Sequence, residues 1–592
     1  MSKFARIPIW FTFLLVSATF HTVFAADSHS HEHHDEDDMA LRELAAQPTE
    51  DHHTPPLANV ASRLHVKIFS INDFHGQLSA GRRVGNRPVG GAAVLAAYLK
   101  AAQQGMEEQT VIVHAGDHVG ASPPASALLQ DEPSISFLNL LANKHCRDKK
   151  PRRTRCNMVA TLGNHEFDEG KDEMLRLIEG GNHANGPFLE NPYQGARFPY
   201  VSANVVDTAT GKPILPPYVI KKIKGIPVAF IGAVLKETPT IVTPSGVAGI
   251  SFLDEADAIN SYIPKLKKAH VRAIVVLIHQ GGRQTTYQGS TAPNAAAVDG
   301  NIVNIVSRLD DEIDVVVSGH AHSFTNALLK NQHGKEILVT QAFSSSTAYG
   351  DIDLQIDRAT RDVVSKSAAI ITTYADAGPG LAPDTDVALL VKQAEDKVAP
   401  LVNQVIGETP SDIVRTQNAA GESALGNLIA DAQRAAMNTD FAFMNPGGIR
   451  ADISAGSVTW GELFAVQPFG NSLVKMELSG QQIYTLLNQQ WLDQPFPRIM
   501  QISGLSYTWD NNRAVGDRIV EVRKNGVPIV LANTYTVTVN SFMAAGGDNF
   551  SVLTQGSNQV GGPIDLDALI AHIQTLPQPF SAPPLGRIQR LN

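Results

Sequence analysis

Short hydrophobic runs recur along this chain, and many of them end in a polar or glycine-rich turn. His65-Val66-Lys67-Ile68-Phe69-Ser70-Ile71 alternates as a half-buried strand does. Val111-Ile112-Val113-His114, Met158-Val159-Ala160-Thr161-Leu162, Val228-Ala229-Phe230-Ile231, Ala273 to Ile278 and Val315-Val316-Val317 read as buried strands. Ala92 to Ala102 has a helical pattern. Strands alternating with helices predict an α/β layered domain. Residues 358 to 383 read as loop around Gly378-Pro379-Gly380. Asp384 to Ala399 then predicts an amphipathic helix with Val387, Leu390, Val391, Ala394 and Val398 on one face, which Pro400 should kink or end. A second α/β pattern runs from Val405 to the end, and there is no internal repeat.

The length of 592 residues exceeds one core, so at least two domains are expected. We divide the chain into residues 1–25, a secretory signal; 26–62, a leader; 63–370, the first domain; 371–404, a connector with a helix; and 405–592, the second domain. In the signal, Lys3 and Arg6 precede the mostly apolar stretch Ile7 to Phe20, and Val23-Phe24-Ala25 forms a cleavage motif. The apolar run is short for a membrane span, so a periplasmic or secreted protein is expected. No hydrophobic tail closes the segment Arg587 to Asn592, so no lipid anchor is expected there.

The leader is rich in His and acid (His29, His31, His33, His34, Asp35 to Asp38) and cannot bury a core. It reads as a solvated, disordered leader with no function; a tether that captures zinc or a similar ion is the alternative. The formal net charge of −10, with no basic block of the required size, excludes duplex DNA or RNA as an expected partner. The two cysteines, Cys146 and Cys156, can pair in an exported protein and close a short basic loop, contributing roughly 3 kcal/mol by loop entropy.

Five clusters of metal-ligating side chains follow the predicted strands of the first domain: Asp73-Phe74-His75, Gly116-Asp117, Gly163-Asn164-His165-Glu166-Phe167-Asp168, His279, and Gly319-His320-Ala321-His322. A lone His at a strand end is usually a surface residue, and a lone Asp often caps a helix. Together they supply enough ligands for two metals, as hydrolysis of a phosphoester by water requires. Imidazole and carboxylate donors suit Zn, Mn, Fe or Co, and the lack of thiolates argues against a structural zinc site.

The order Asp-x-His, Gly-Asp, Gly-Asn-His-Glu, His, Gly-His-x-His resembles the calcineurin-like metallophosphoesterases. With the second domain, from about His65 to about Leu576, the chain resembles the exported 5′-nucleotidase family. The resemblance implies a layered β-sandwich with flanking helices, a helical connector and a C-terminal α/β nucleotide-binding domain. It implies two divalent metal ions (Zn, Mn or Co), one held by Asp73, His75 and His322, the other by Asn164, His279 and His320, with Asp117 between them. His165 matches the catalytic histidine and Asp168 its orienting carboxylate.

In the second domain, Asn445-Pro446-Gly447-Gly448-Ile449-Arg450 places glycines, which permit close approach, before an Arg suited to phosphate. Phe469 and Phe542 lie in turn-rich segments near Asn471 and Asp548. A lone Phe is usually core, but two in loops beside polar groups suit a stacking clamp for a flat base. By the resemblance, Phe469 and Phe542 sandwich the base, Asn445 and Asn471 reach its edge, Asp548 the ribose hydroxyls and Arg450 the phosphate. Gly426 to Ala432 matches a helix start beside that site. One departure is the segment Ala419 to Ser423, which lacks a family arginine; Arg415 lies upstream.

The reaction implied is hydrolysis of a nucleoside 5′-monophosphate. Alternatives on the same scaffold are 2′,3′-cyclic phosphodiesters, nucleoside di- or triphosphates and UDP-sugars. A non-catalytic nucleotide binder is a further alternative.

Overall fold

The computed structural model describes residues 62–146, 155–286, 289–293 and 298–592. The expected signal, and the leader up to residue 61, lie outside the described residues, as do most of the basic residues between the two cysteines.

Two six-stranded sheets form the first domain. One runs, in spatial order, Val363–Thr372, Ala348–Asp357, Arg63–Ile71, Thr110–His114, Met158–Thr161, Tyr200–Val201. The other runs Phe324–Lys330, Glu336–Ala342, Val315–Ser318, Ala273–His279, Ile226–Val234, Tyr218–Ile223. Their inner faces meet in one apolar cluster that includes Val66, Ile68, Val113 and Val159 from one sheet and Phe230, Val275, Leu277 and Val317 from the other. In Arg63–Ile71 the side chains alternate, Leu64, Val66 and Ile68 inward, Phe69 and Ile71 outward. Helices Ala92–Gln103, Glu132–Leu141 and Lys171–Glu179 cover the outer face of the first sheet, and Glu255–Lys268 and Asn301–Ser307 that of the second. Both faces of each sheet are thus buried, which is why the central strands read as continuous apolar runs.

The central strands are parallel within each sheet: Arg63–Ile71 with Thr110–His114 and Met158–Thr161, and Ile226–Val234 with Ala273–His279 and Val315–Ser318. Their C-terminal ends therefore leave each sheet on one edge, which concentrates the ligand-bearing loops.

Two expectations from the sequence are corrected. The stretch 358–383 is not all loop, because Val363–Thr372 pairs antiparallel with Ala348–Asp357. It is a sheet-edge strand held by backbone bonds, with Val364 49% exposed, and its Ser-Lys-Ser centre hides the pattern. Pro400 does not stop the connector helix at once, because the helix spans Thr385–Val402. Its missing N–H costs one bond to the preceding turn, and the helix closes two residues later. Asp384 caps this helix by accepting from Val387 N at 3.1 Å, and Val387, Ala394 and Val398 pack on the first domain.

The second domain starts where Val405–Thr409 pairs with Gly456–Thr459. Its five-stranded sheet runs Gln501–Ser503, Phe441–Met444, Thr534–Asn540, Ser472–Ser479, Ser557–Ile564. Helix Ala424–Met437 packs on it, capped by Ser423 Oγ accepting from Gly426 N. The domains touch where Trp460–Val466 meets the connector helix and where Thr238–Ile241 meets Gly547–Asn549. Cys146 and Cys156 are disulfide-bonded, their Cα atoms 4.6 Å apart. Among the described residues no helix is long and apolar enough to cross a membrane.

Candidate active site

The loops leaving the parallel strands bring two ligand sets together. Asp73, His75, Asp117 and His322 form one; Asp117, His279 and His320 form the other, with ligand atoms in each set within 4.8 Å of one another. Asp117 belongs to both, and Asn164 Oδ1 joins the second set 3.0 Å from His320 Nδ1. Asp73, His75, Asp117, His320 and His322 all have φ between +47° and +75°. Non-glycine residues avoid this left-handed region, at a cost of about 1–3 kcal/mol each. The surrounding fold therefore holds the ligands in place against their backbone preference. Asp73 and His75 converge through these left-handed turns and not through simple strand alternation.

Hydrogen bonding tells which atoms face the centre. A carbonyl can only accept, so His279 Nδ1–H donates to Ala115 O at 2.7 Å and His75 Nδ1–H to Gly120 O at 2.8 Å. Each Nε2 is then a lone pair in the neutral ring. His279 Nε2 is fully buried without a hydrogen-bond partner and lies 3.0 Å from Asp117 Oδ2. His75 Nε2 lies 2.9 Å from His322 Nε2 and 3.6 Å from Asp117 Oδ2. His279 Nε2 and the Asp117 carboxylate are thus acceptors facing each other in a dry site, and they repel unless a cation stands between them. The donor set therefore fits divalent ions.

The protonation tendencies agree. Burial drives His75 well below the ordinary imidazole range and His320 down to about 3, leaving neutral ligands. Burial also opposes charge on His279, but the Asp117 carboxylate outweighs it and holds the ring up to about 9, a proton taking the place a metal would.

His165 belongs to neither set. Its Nδ1 meets Asp168 Oδ2 at 2.7 Å, and its backbone N donates to Asp117 Oδ1 at 3.0 Å. Its burial opposes protonation; Asp168 and Asp117 more than offset this and raise its pKa.

The second domain reaches this point. Phe469 lies parallel to the His165 ring, centroids 5.9 Å apart at 12°, and the Arg450 guanidinium is 5.9 Å from the Phe469 centroid. Phe542 packs on Gly547, where a Cβ would meet its ring. The two phenylalanines thus have different neighbours: His165 for one, the glycine turn for the other. Asn445 Nδ2 donates to Asp548 Oδ2 at 2.8 Å. Asn471 Oδ1 accepts from Ser541 Oγ at 3.0 Å, beside Phe542. Arg415 donates to Ile449 O at 3.5 Å, next to Arg450.

Calcineurin-like phosphoesterases match residues 66–324, and the 5′-nucleotidase C-terminal domain matches residues 405–555. The cell wall protein Lmo0130 of Listeria monocytogenes is 34% identical over 87% of this chain and 67% of its own length. The chain belongs to the 5′-nucleotidase family. The endonuclease YhcR of Bacillus subtilis is 38% identical over 88% of this chain, which spans 41% of that longer protein. A 5′-nucleotidase precursor from Thermus thermophilus superposes with a TM-score of 0.73 at 28% identity, over 89% of this chain and 100% of the other. Members of this family with a calcineurin-like domain are metallophosphoesterases that use divalent metals.

For this 5′-nucleotidase family member, the structure adds residues that sequence reasoning had not singled out. Glu166, 7% exposed, accepts from Asp117 N at 3.0 Å, from His118 N at 2.7 Å and from Gly163 N, and contacts His118 Nδ1 at 3.0 Å. It ties the Asp117 loop to the Gly163 turn. Asn72 donates to Asp73 Oδ2 at 2.7 Å and to Phe343 O. Arg498, in a segment with no recognisable motif, lies 3.5 Å from Asp548. Only the position of Glu166 inside the Gly163 to Asp168 motif offered a signal.

Gly163 itself is sterically required, because a Cβ there would overlap the Asp117 carboxylate oxygen and crowd its backbone N. Gly163→Ala is expected to displace Asp117, lowering metal content and phosphatase turnover together by ~10-fold or more. Metal analysis alongside kinetics checks this; full metal occupancy with normal turnover would refute it.

Proposed function

We propose that this protein hydrolyses nucleoside 5′-monophosphates such as AMP to nucleoside and phosphate, outside the cytoplasm. The observation that carries the reading is the stacking of Phe469 of the second domain on His165, with Arg450 beside that Phe469 ring and the two ligand sets close by. Asp73, His75 and His322 would hold one divalent ion and Asn164, His279 and His320 the other, with Asp117 shared; Zn, Mn or Co suits these donors. Bound there, the ions would supply charge neutralisation for phosphoryl oxygens and a water of lowered pKa.

The remaining roles belong to the chain. Asp168 fixes the His165 ring through Nδ1, leaving Nε2 to hold or donate a proton toward the leaving oxygen. Arg450 binds the phosphate, Phe469 and Phe542 supply flat apolar faces for the base, and Asn445, Asn471 and Asp548 contact base edge and ribose. A leaving nucleoside gripped by one domain and a phosphate centre built in the other require both domains in one catalytic cleft.

A second reading is phosphodiester cleavage, favoured by the name of the Bacillus relative, an endonuclease, and by the absence of Arg from Ala419 to Ser423. The experiment is phosphate release from AMP by the mature chain, before and after chelation and add-back of Zn, Mn or Co. ADP, ATP, UDP-glucose and 2′,3′-cyclic AMP run alongside. Chelation is expected to abolish release and add-back to restore it, with AMP preferred. Metal-dependent preference for another substrate would overturn the monophosphate reading, and inactivity with every metal would overturn the catalytic one.

A further inference from the structure

Asp548 occupies an unusual position. It is 6% exposed, sits at φ +56°, and lies in the glycine turn on which Phe542 packs. Its carboxylate is held from two sides: Oδ2 accepts from Asn445 Nδ2 at 2.8 Å, and Oδ1 lies 3.5 Å from Arg498 Nε. Asn445 is itself oriented, because its Oδ1 accepts from Asn540 Nδ2 at 3.0 Å.

Arg498 is 9% exposed and equally constrained. Its backbone N donates to Gln490 O at 2.8 Å, its Nη1 donates to Gln494 Oε1 at 2.6 Å, and its guanidinium lies 5.0 Å from the Phe496 ring centroid. Gln494 Nε2 in turn donates to Asp548 O at 2.6 Å, and Asn549 Nδ2 donates to Asp493 O at 2.9 Å. The segment 493–498 therefore grips both the side chain and the main chain of the Asp548 turn.

We infer that Arg498 is a positioning residue that sets a preference for ribonucleotides over 2′-deoxynucleotides by fixing the Asp548 carboxylate. This rests on the nucleotide reading above. An ionised carboxylate offers about four lone-pair sites. Asn445 Nδ2 occupies one, and Arg498 stands 3.5 Å from Oδ1 as the paired cation, so lone pairs remain for the hydroxyls of a ribose diol. Burial works against the charge on Asp548, and Arg498 is the cation that opposes this. Without Arg498 the carboxylate loses its partner at Oδ1 and the cation that favours its charge, is free to turn, and no longer presents a fixed acceptor to a 2′-hydroxyl. A site built to bind a hydroxyl discriminates strongly against the analogue lacking it.

The test compares kcat and KM for AMP and 2′-deoxy-AMP in the metal-loaded full chain, its Arg498→Ala and Arg498→Lys variants, with p-nitrophenyl phosphate as a ribose-free substrate. Arg498→Ala is expected to lower kcat/KM for AMP by ~10–100-fold, mainly through KM. It should leave p-nitrophenyl phosphate within about twofold and lower 2′-deoxy-AMP, which keeps only the 3′-hydroxyl, by less than AMP, so that the ribose preference shrinks. Arg498→Lys, which keeps the charge, is expected to retain most of that preference. Retained p-nitrophenyl phosphate turnover reports a folded metal centre. If the native chain prefers AMP and Arg498→Ala keeps that preference, the positioning role is overturned while the nucleotide reading stands. A native chain that turns over p-nitrophenyl phosphate but neither nucleotide overturns both.

Discussion

Replacing His165 by alanine is expected to lower kcat on AMP by ~10²–10⁴-fold while leaving metal content unchanged. The separation follows from the geometry. His165 belongs to neither ligand set, so its ring can be removed without taking a metal donor away. Its contribution to the Asp117 carboxylate is a backbone N–H at 3.0 Å, which alanine retains. What is lost is the imidazole held by Asp168 at 2.7 Å and stacked parallel to Phe469. Asp168→Asn keeps the size of the partner but not its charge, and should give a smaller loss in kcat with the same metal occupancy. Steady-state kinetics together with metal analysis checks both variants. Normal kcat in His165→Ala would remove this residue from the reaction.

The largest stability change is expected at a site remote from the chemistry. Lys221 is 1% exposed, lies between Val219 and Ile223 on the inner face of strand Tyr218–Ile223, and its Nζ has no hydrogen-bond partner. Burial alone drives its pKa from 10.5 down to about 7. Below about pH 7 the amine is charged in both the folded and unfolded chains, and the folded state bears the full cost of a buried charge. Between pH 7 and 10.5 only the unfolded chain binds the proton, so stability rises with pH. Above 10.5 the cost is gone.

A fall of this size corresponds to roughly 5 kcal/mol. Lys221→Met keeps the length and apolar stem of the side chain, so the variant should be more stable by up to about that amount at pH 7 and below. The gain should shrink toward zero as pH approaches 10.5. Chemical denaturation across pH 6–10.5 measures it, and a gain that does not change with pH would contradict the buried-amine account.

The candidate metal centre was legible in the sequence because its residues cluster at strand ends in short, chemically distinctive groups. Asp73, His75, Asp117, Asn164, His279, His320 and His322 all converge in the structure. The parallel strands explain why: each loop leaves its sheet on the same edge, so residues far apart in sequence share one site. The apolar runs at Val111 and Ala273 were likewise strong signals, since both faces of each sheet are covered by other layers; the run at His65 alternates because His65 and Lys67 stay partly exposed between buried Leu64, Val66 and Ile68.

The rest was decided by tertiary structure. Val363–Thr372 forms through backbone pairing with a neighbour, and the Ser-Lys-Ser at its centre interrupts the side-chain pattern of this edge strand. The left-handed backbone of five ligand residues is invisible to local propensity, because distant packing imposes it. Glu166 acts through a hydrogen bond to Asp117 and Arg498 through an ion pair with Asp548, partners that lie 49 and 50 positions away. The sequence by itself determined which groups could hold a metal and a nucleotide. Only the folded chain determined which lone pairs face one another, because that depends on contacts made across the whole length of the molecule.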